Sequence, residues 1–255
     1  MTNTYKVTVL NVGHVDIESS LMIRGVDCGK TMRIPQPCVA VEGNGLKILL
    51  DTSYRSLDWI AEYCGAVENG KDEDERLLLG EMEKIGCKPE DVDYVINTHL
   101  HYDHCGANNL FKGCKTKFVI NRKEWEFAFH PTPNLVYCYY PELFNIKSAN
   151  PDQIVLIDGE YEVADGIVVF PTPGHTKGHQ SVVINTEEGV VCYAGDAANT
   201  VANLHENVIG NIIYDTKQSY QSLDEIRRRS EFVICGHEPS LKNFQTGGFA
   251  RTHKE

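Results

Sequence analysis

Residues 99–104 read His99-Leu100-His101-Tyr102-Asp103-His104, so three imidazoles and one carboxylate fall within a single hexapeptide. Neither an ordinary core segment nor an ordinary surface segment needs this concentration of metal-binding groups. The short apolar run 92–97 in front of it predicts a buried strand, which delivers the histidines into the following loop. Loops on a rigid scaffold are where ligand residues are usually displayed. The hexapeptide therefore predicts a metal site at the end of a strand.

The hexapeptide can serve two ions but cannot complete both sites. His99, His101 and Asp103 occupy alternate positions, and His104 begins the next predicted helix, from which it can turn toward a second ion. Zinc usually takes four ligands, so further ligands must come from elsewhere in the chain. The candidates follow predicted strands and have glycine neighbours, which let the backbone approach an ion closely. They are His175, His179, Asp196 and His237.

The hydrophobic pattern outside the hexapeptide predicts an α/β fold with mixed sheets. Val7, Val9 and Val12 open a first strand, and the Asn44-Gly45 turn joins two β-rich runs into a hairpin. Predicted strands cover 38–42, 46–50, 92–97, 154–157, 161–164, 167–170, 181–185 and 190–194, and predicted helices cover 55–64 and 74–85. Because helices follow groups of strands in both halves, a sandwich fits better than simple strand-helix alternation. We predict one domain spanning residues 1–255.

Composition excludes several classes of partner. The formal net charge of −12 disfavours nucleic acid, whose binding relies on clustered Lys and Arg. The basic run 227–229 fits the last turn of a helix, where the macrodipole favours cations. No apolar run is long enough to span a membrane, and the first residues do not resemble a signal peptide. The nine cysteines contain no C-x-x-C pair and fit reduced thiols. We expect a cytoplasmic protein that acts on a small molecule, as a monomer or a homodimer.

Residues 127–144 are rich in both aromatic residues and proline. Proline should prevent a regular helix here. The stretch is interpreted either as cover for the edge of a core or as a lid or wall for an apolar substrate group. Its candidate pocket residues are Phe129, His130 and Tyr137.

The motifs in their order resemble the metallo-β-lactamase-fold hydrolases over residues 5–245. The resemblance rests on Leu49-Leu50-Asp51-Thr52, the hexapeptide, Thr172-Pro173-Gly174-His175-Thr176, Gly195-Asp196 and Gly236-His237. It implies an αββα sandwich of two mixed sheets flanked by helices, with metals at one edge. It also implies two Zn²⁺ per chain, with Fe, Mn or Co as alternatives. By this resemblance His99, His101 and His175 hold one ion, Asp103, His104 and His237 hold the other, and Asp196 bridges them.

Two further residues are expected to support the ligands rather than bind metal. Asp51 is interpreted as a carboxylate that orients a ligand histidine, a partner that metal sites commonly require. His179 is not needed in the ligand set and is interpreted as a hydrogen-bonding residue behind it. Cys105 and Cys235 adjoin ligands and are interpreted as small buried thiols.

Within this superfamily, His104-Cys105-Gly106 and the segment 172–181 are most similar to N-acyl homoserine lactone lactonases and pyridoxolactonase-like enzymes. The resemblance implies a lactonase that opens a small cyclic ester by attack of metal-bound hydroxide, with Asp103 passing a proton to the departing alkoxide. These lactonases commonly have a tyrosine three positions after the bridging aspartate, where this chain has Asn199. Asn199, Tyr102 and Tyr214 are therefore further pocket candidates.

The sequence leaves other activities open. Cyclic amide and thioester hydrolases can use the same metal site, and an iron-dependent oxidoreductase can share the fold. The histidine at position 101, where flavodiiron proteins typically have glutamate, favours a hydrolase over that oxidoreductase.

Overall fold

Two six-stranded mixed sheets form the centre of the computed structural model, which describes residues 3–55, 75–146, 151–240 and 249–254. The first sheet follows chain order and contains β1 (Lys6–Glu18), β2 (Thr31–Gly43), β3 (Leu46–Leu50), β4 (Tyr94–Ile96), β5 (Lys117–Asn121) and β6 (Ile154–Ile157). The second, in the order β12-β11-β10-β9-β8-β7, contains β7 (Tyr161–Ala164), β8 (Ile167–Pro171), β9 (Gln180–Thr186), β10 (Gly189–Gly195), β11 (Phe232–Cys235) and β12 (Ala250–Arg251). The parallel pairs are β3 with β4, β4 with β5, β5 with β6, and β10 with β11.

The described residues form seven helices, and the three longest pack on the outer faces of the sheets. The seven are α1 (Ser19–Met22), α2 (Glu75–Lys84), α3 (Tyr102–Cys105), α4 (Arg122–Phe129), α5 (Pro141–Phe144), α6 (Val201–His205) and α7 (Thr216–Arg229). Single 3-10 turns lie at Pro89–Asp91, Asn108–Phe111, Val136–Cys138 and Pro151–Gln153.

Successive side chains of a strand point to opposite faces of the sheet, so neighbouring residues pack into different hydrophobic clusters. Ile48 and Leu50 of β3 pack between the sheets with Val182 and Ile234 from the second sheet. Leu49, which points the other way, belongs to the cluster that includes the helical residues of α2 and α4. A third cluster places Leu223 and Ile226 of α7 against the outer face of the second sheet. The order of layers is helix, sheet, sheet, helix, which confirms the predicted αββα sandwich.

The boundaries of the predicted elements agree best where periodicity is strong. The predictions for β3, β6 and β7 match the observed bounds, and the predicted helix 74–85 is observed as Glu75–Lys84. The basic run ends α7, as expected from the macrodipole. The predicted helix 55–64 lies outside the described residues except for Arg55. That the whole chain forms one domain stays a prediction.

The first two strands are longer than the sequence indicated, since the prediction marked only Val7, Val9 and Val12 for β1 and 38–42 for β2. β1 and β2 pair from Lys6 to Glu18 and from Thr31 to Glu42, with an irregularity between Asn11 and His14. Within β2, only Val39–Gly43 pair with β3. Residues 31–38 of β2 therefore extend beyond the body of the sheet, with β1 as their partner. This extension, here called the β1–β2 ribbon (residues 14–18 and 31–38), reaches the edge where the hexapeptide lies.

The thiols and the helices bear on two expectations from composition. The eight cysteines within the described ranges are all free thiols, and six of them are buried. In the same ranges, none of the helices combines the length and the apolar character needed to cross a bilayer.

Candidate metal centre

The predicted ligands meet at one edge of the sandwich because each follows the end of a strand. His99 follows β4, His175 follows β8, Asp196 follows β10 and His237 follows β11. Within the hexapeptide, His101 begins α3 as its N-cap, and Asp103 and His104 lie in that single helical turn. The loops that carry Asp196 and His237 lie so close together that a Cβ atom at Gly236 would collide with Asp196 Oδ1.

The first group of ligand atoms consists entirely of imidazoles. His99, His101 and His175 are at most 3% exposed, and each offers one ring nitrogen within 4.8 Å of the others. His101 Nδ1 and His175 Nε2 lie 3.1 Å apart. This spacing suits convergence on a common cation.

The second group combines a carboxylate with two imidazoles. Asp103 Oδ2 lies 3.7 Å from both His104 Nε2 and His237 Nε2. The histidines are buried, whereas the Asp103 side chain keeps 19% of its surface exposed. Asp103 is therefore the ligand candidate most accessible to an incoming molecule.

Asp196 lies between the two groups. Its Oδ1 atom is 3.2 Å from both His104 Nε2 and His237 Nε2, and its Oδ2 atom is 3.4 Å from His175 Nε2. One carboxylate thus directs one oxygen toward each group, which is the arrangement a bridging ligand requires.

Several buried polar atoms of this cluster lack a hydrogen-bond partner within the described ranges and are suited to bind a metal ion. Among the described residues, His99 Nε2, His104 Nε2 and Asp196 Oδ1 are buried without a hydrogen-bond partner. Such atoms are costly unless they have a ligand. Imidazole and carboxylate are donors suited to Zn²⁺ as well as to Fe and other first-row ions. The donor set therefore fits two metal ions without identifying the element.

Electrostatics favour cations in the same place. Burial and the neighbouring imidazoles lower the pKa of His99 and of His101 well below the usual range, which leaves their lone pairs free for a metal. Burial alone would raise the pKa of Asp196, but His237, His104 and His175 hold it well below its usual range. Burial likewise opposes a charge on His104, but Asp196 and the nearby carboxylates raise its pKa. An ionised Asp196 thus attracts positive charge into the cluster.

Hydrogen bonds from outside the cluster fix the imidazole rings. His104 Nδ1 lies 2.8 Å from Asp51 Oδ2, His175 Nδ1 lies 2.8 Å from the Ile212 carbonyl, and His237 Nδ1 lies 3.0 Å from the Pro35 carbonyl. When Nδ1 donates its proton to such an oxygen, Nε2 is left as the metal-binding atom.

Asp51 connects several elements beneath the ligands. It receives hydrogen bonds from the Thr98 backbone N–H at 2.7 Å, the Thr98 hydroxyl at 2.8 Å and the Tyr193 hydroxyl at 2.9 Å. It is fully buried with φ 58°, a backbone conformation that aspartate tolerates better than most residues. Asp51 thus contacts His104, and its role in orienting that ring stays a prediction.

His179 lies behind the cluster rather than in it. Its Nε2 atom accepts a hydrogen bond from the Asp196 backbone N–H at 3.1 Å, so Nδ1 carries the proton that faces Thr172 Oγ1 at 2.9 Å. Burial lowers the pKa of His179 well below the usual range, in keeping with a neutral ring. It holds the Asp196 main chain in place.

Sequence reasoning missed Glu124, a fully buried residue of α4. Its Oε1 atom accepts from the Leu100 backbone N–H at 3.1 Å and from the Tyr139 hydroxyl at 2.9 Å. Its Oε2 atom accepts from the Thr176 hydroxyl at 2.6 Å and from the Gly178 backbone N–H at 3.1 Å. Glu124 therefore joins the loop of His99 and His101 to the loop of His175. Nothing near position 124 in the sequence signals this role.

A cavity of about 190 Å³ opens beside the cluster. Cluster residues His101, Asp103, His175, Asp196 and His237 form one side of it, and the β1–β2 ribbon supplies Val15, Asp16, Ile17, Ile34 and Gln36. Among the described residues, the lining also includes Leu21, Met22, Tyr102, Tyr137, Cys138 and Ile212. The sequence did not indicate that the ribbon forms a wall.

The predicted pocket residues separate into two sets. Tyr102 and Tyr137 line the cavity. Of the described residues, the lining does not include Phe129, His130, Asn199 or Tyr214. Phe129 packs on Phe144, His130 is exposed at the end of α4, and Tyr214 packs edge to face against Phe127.

The aromatic stretch 127–144 contributes side chains both to the first hydrophobic cluster and to the lining of the cavity. Trp125, Phe129 and Phe144 pack edge to face in the first hydrophobic cluster, while Tyr137 and Cys138 reach the cavity. The expectation that proline prevents a regular helix over 127–144 is wrong at both ends of the stretch, because residues 127–129 form the end of α4 and Pro141–Phe144 form α5. The helix α4 contains no proline and ends two residues before Pro131. Pro141 begins the short α5, where its fixed φ is compatible with a helix.

Comparisons with known proteins agree with this geometry. A family model described as the metallo-beta-lactamase superfamily matches residues 32–237. An N-acyl homoserine lactonase from a Bacillus species is 30% identical over 244 residues, which cover 91% of this chain and 93% of that protein. A homologue of the same description from Bacillus cereus is 31% identical over 244 residues, with 91% and 93% covered.

A solved structure provides the same comparison in three dimensions. It is an N-acyl homoserine lactone hydrolase with the product N-hexanoyl-L-homoserine bound at its catalytic metal centre. It superimposes with a TM-score of 0.78 at 27% identity, covering 95% of this chain and 96% of that one.

Proposed function

The chain belongs to the metallo-beta-lactamase superfamily of metal-dependent hydrolases, and we propose that its site opens the ring of a lactone. The observation that carries the proposal is the position of Asp196, whose two carboxylate oxygens face two separate groups of ligand atoms. A bridging carboxylate between two incomplete ligand sets is suited to a pair of catalytic ions rather than to one closed structural ion.

We assign the ligands as His99, His101 and His175 for one ion and Asp103, His104 and His237 for the other, with Asp196 shared. The donor set supports two Zn²⁺ per chain, and Fe, Mn or Co would suit the same donors. The chemistry that such ions supply is polarisation of the ester carbonyl and acidification of water at neutral pH.

Asp103 is the residue placed to move a proton. Ring opening adds water across the acyl C–O bond, so the hydroxyl adds to the carbonyl carbon and the ring oxygen leaves as an alkoxide that needs a proton. The partly exposed Asp103 carboxylate lines the cavity and can take the proton from water and give it to that oxygen. Product is the ring-opened hydroxy acid.

The volume of the cavity favours a small substrate. Its volume of about 190 Å³ lies below the range of roughly 300–1,000 Å³ that is typical of sites for larger ligands. The relatives that are named N-acyl homoserine lactonases make this class the first to test. Cyclic amides and thioesters need the same attack on a carbonyl and are the alternatives.

The test is turnover on matched substrates with the metal content verified. Protein containing about two zinc ions per chain should open lactones faster than it hydrolyses cyclic amides or thioesters. Absence of lactone hydrolysis together with cleavage of a cyclic amide would overturn the substrate assignment. Iron in the protein with oxygen consumption would overturn the hydrolytic reaction itself.

A further inference from the structure

The side-chain amide of Gln36 is buried, and its oxygen has no hydrogen-bond partner among the described residues. The residue is 3% exposed, and Oε1 has no hydrogen bond. Its cavity is the one that contains Asp103 and Asp196. A buried polar atom without a partner is uncommon in a folded protein and needs an explanation. The wall of a substrate cavity offers one, since a ligand can complete the hydrogen bond.

The backbone holds Gln36 at a fixed place beside the metal cluster. The preceding residue, Pro35, accepts a hydrogen bond from His237 Nδ1 at 3.0 Å. Pro35 also pairs with His14 across the β1–β2 ribbon. Gln36 therefore lies one residue from a backbone contact to a proposed metal ligand.

The surroundings of Gln36 are mainly apolar on the ribbon side. Val15, Ile17 and Ile34 line the same wall, and Asp16 is engaged by the Arg33 guanidinium through two contacts of 2.8 Å. In an apolar pocket, a few polar groups fix the orientation of the ligand. Gln36 is the neutral amide available for that purpose on this wall.

Asn199 provides a useful contrast. Its Oδ1 atom is also buried without a partner in the described ranges. Its Nδ2 atom, however, donates to the Met22 carbonyl at 3.4 Å. The backbone carbonyl of Asn199 accepts a hydrogen bond from the His237 backbone N–H at 2.7 Å. Asn199 supports the loop of His237 from behind the cavity, whereas Gln36 lies on its wall.

We propose that Gln36 is a specificity-determining residue whose side-chain amide hydrogen-bonds an amide substituent next to the scissile ring. The inference rests on the proposed lactonase function. An amide substituent offers one donor and one acceptor, and the glutamine amide complements both. Lactones that carry an amide are therefore preferred over lactones that carry only an alkyl chain.

The test compares two substrates and three proteins. The substrates are N-hexanoyl homoserine lactone and an alkyl γ-lactone of similar size without an amide. Gln36→Leu should reduce kcat/KM for the amide-bearing lactone about tenfold or more, because a lost hydrogen bond also leaves the substrate amide unpaired. The alkyl lactone should be unchanged or turned over faster. Ile34→Val, which alters the same wall without changing a polar group, should keep the wild-type ratio between the substrates.

Product binding provides a measurement that does not depend on turnover. By calorimetry, wild-type protein should bind N-hexanoyl homoserine more tightly than the ring-opened alkyl hydroxy acid, and Gln36→Leu should lose that difference. Gln36→Met, which preserves the length of the side chain, repeats the comparison if the leucine variant does not fold.

The outcomes separate the two claims. An unchanged substrate ratio and unchanged product binding in a folded Gln36 variant would overturn the role of Gln36 while leaving the lactonase intact. No hydrolysis of either lactone by the metal-loaded wild type would overturn the proposed function. In that event, equal binding of the two ring-opened acids to the wild type would overturn the role of Gln36 as well.

Discussion

The metal-ligand edge and the ribbon wall face the same cavity but are built differently. The ligand edge consists of loops at the ends of strands, and its imidazoles are fixed by the hydrogen bonds that they donate to Asp51, Pro35 and Ile212. The ribbon wall is a two-stranded extension beyond the sheet, and mainly apolar side chains line the cavity from it. Under the proposed function, the reaction chemistry is expected to depend on the rigid strand ends, and substrate choice on the ribbon and the segment around Tyr137.

The largest effect should come from the exposed carboxylate of the ligand edge. Asp103→Asn should reduce kcat by about 10²–10⁴-fold, the range expected when a group that transfers protons in the reaction is lost. The measurement is steady-state hydrolysis of a lactone, with elemental analysis of the same sample. Near-normal turnover in a fully metallated variant would remove Asp103 from the mechanism.

The support beneath the ligands should have the next largest effect. Asp51→Asn weakens the charge-assisted contact to His104 Nδ1, so metal affinity should fall about 10–100-fold. Competition with a chromophoric chelator measures this. Tyr193→Phe removes one neutral donor to Asp51 and serves as the milder control. Equal metal affinity in Asp51→Asn and the wild type would show that Asp51 does not tune the site.

The Glu124 connection between ligand loops should appear mainly in stability. Glu124→Gln replaces one accepting oxygen by an N–H₂ group that opposes two donors, so the free energy of unfolding should fall by about 1–3 kcal/mol. Denaturant unfolding measures the change. Glu126→Gln, an exposed position on the same helix, is the matched control and should have little effect. Similar losses in both variants would mean that the buried contacts of Glu124 are not responsible.

The smallest effect should come from the outer part of the cavity wall. Tyr137 lines the cavity but remains 53% exposed, so Tyr137→Ala should raise KM a few-fold and leave kcat nearly unchanged, the pattern of lost uniform binding. Val136→Ala changes an exposed neighbour that does not line the cavity and should leave both constants unchanged. A large loss of kcat in Tyr137→Ala would place chemistry, rather than binding, on this wall.

The ligand edge was more predictable from sequence than the wall for a physical reason. His99 to His104 are chemically unusual and adjacent in sequence, and the strands before the ligands have clear hydrophobic patterns. Strand ends in such a fold converge, so the sequence also indicated where Asp196 and His237 would lie.

The wall depends on contacts between residues far apart in sequence. Gln36 follows an unremarkable Ile-Pro pair, and its importance arises only when the ribbon extends past β3 to the cavity. Glu124 is similar, because its partners Leu100, Tyr139 and Thr176 lie 24, 15 and 52 residues away. Periodicity and motif spacing carry no information on such contacts. The aromatic stretch predicted as a lid or wall supplied only Tyr137 and Cys138 to the lining.

Under the proposed function, both ligand groups around Asp196 must hold a metal ion for lactone hydrolysis. The most direct measurement is a titration of chelator-treated protein with Zn²⁺ while ring opening of N-hexanoyl homoserine lactone is followed. We expect activity to rise until about two equivalents are bound per chain. Full activity at one equivalent, or activity without metal, would contradict the requirement for two metal ions.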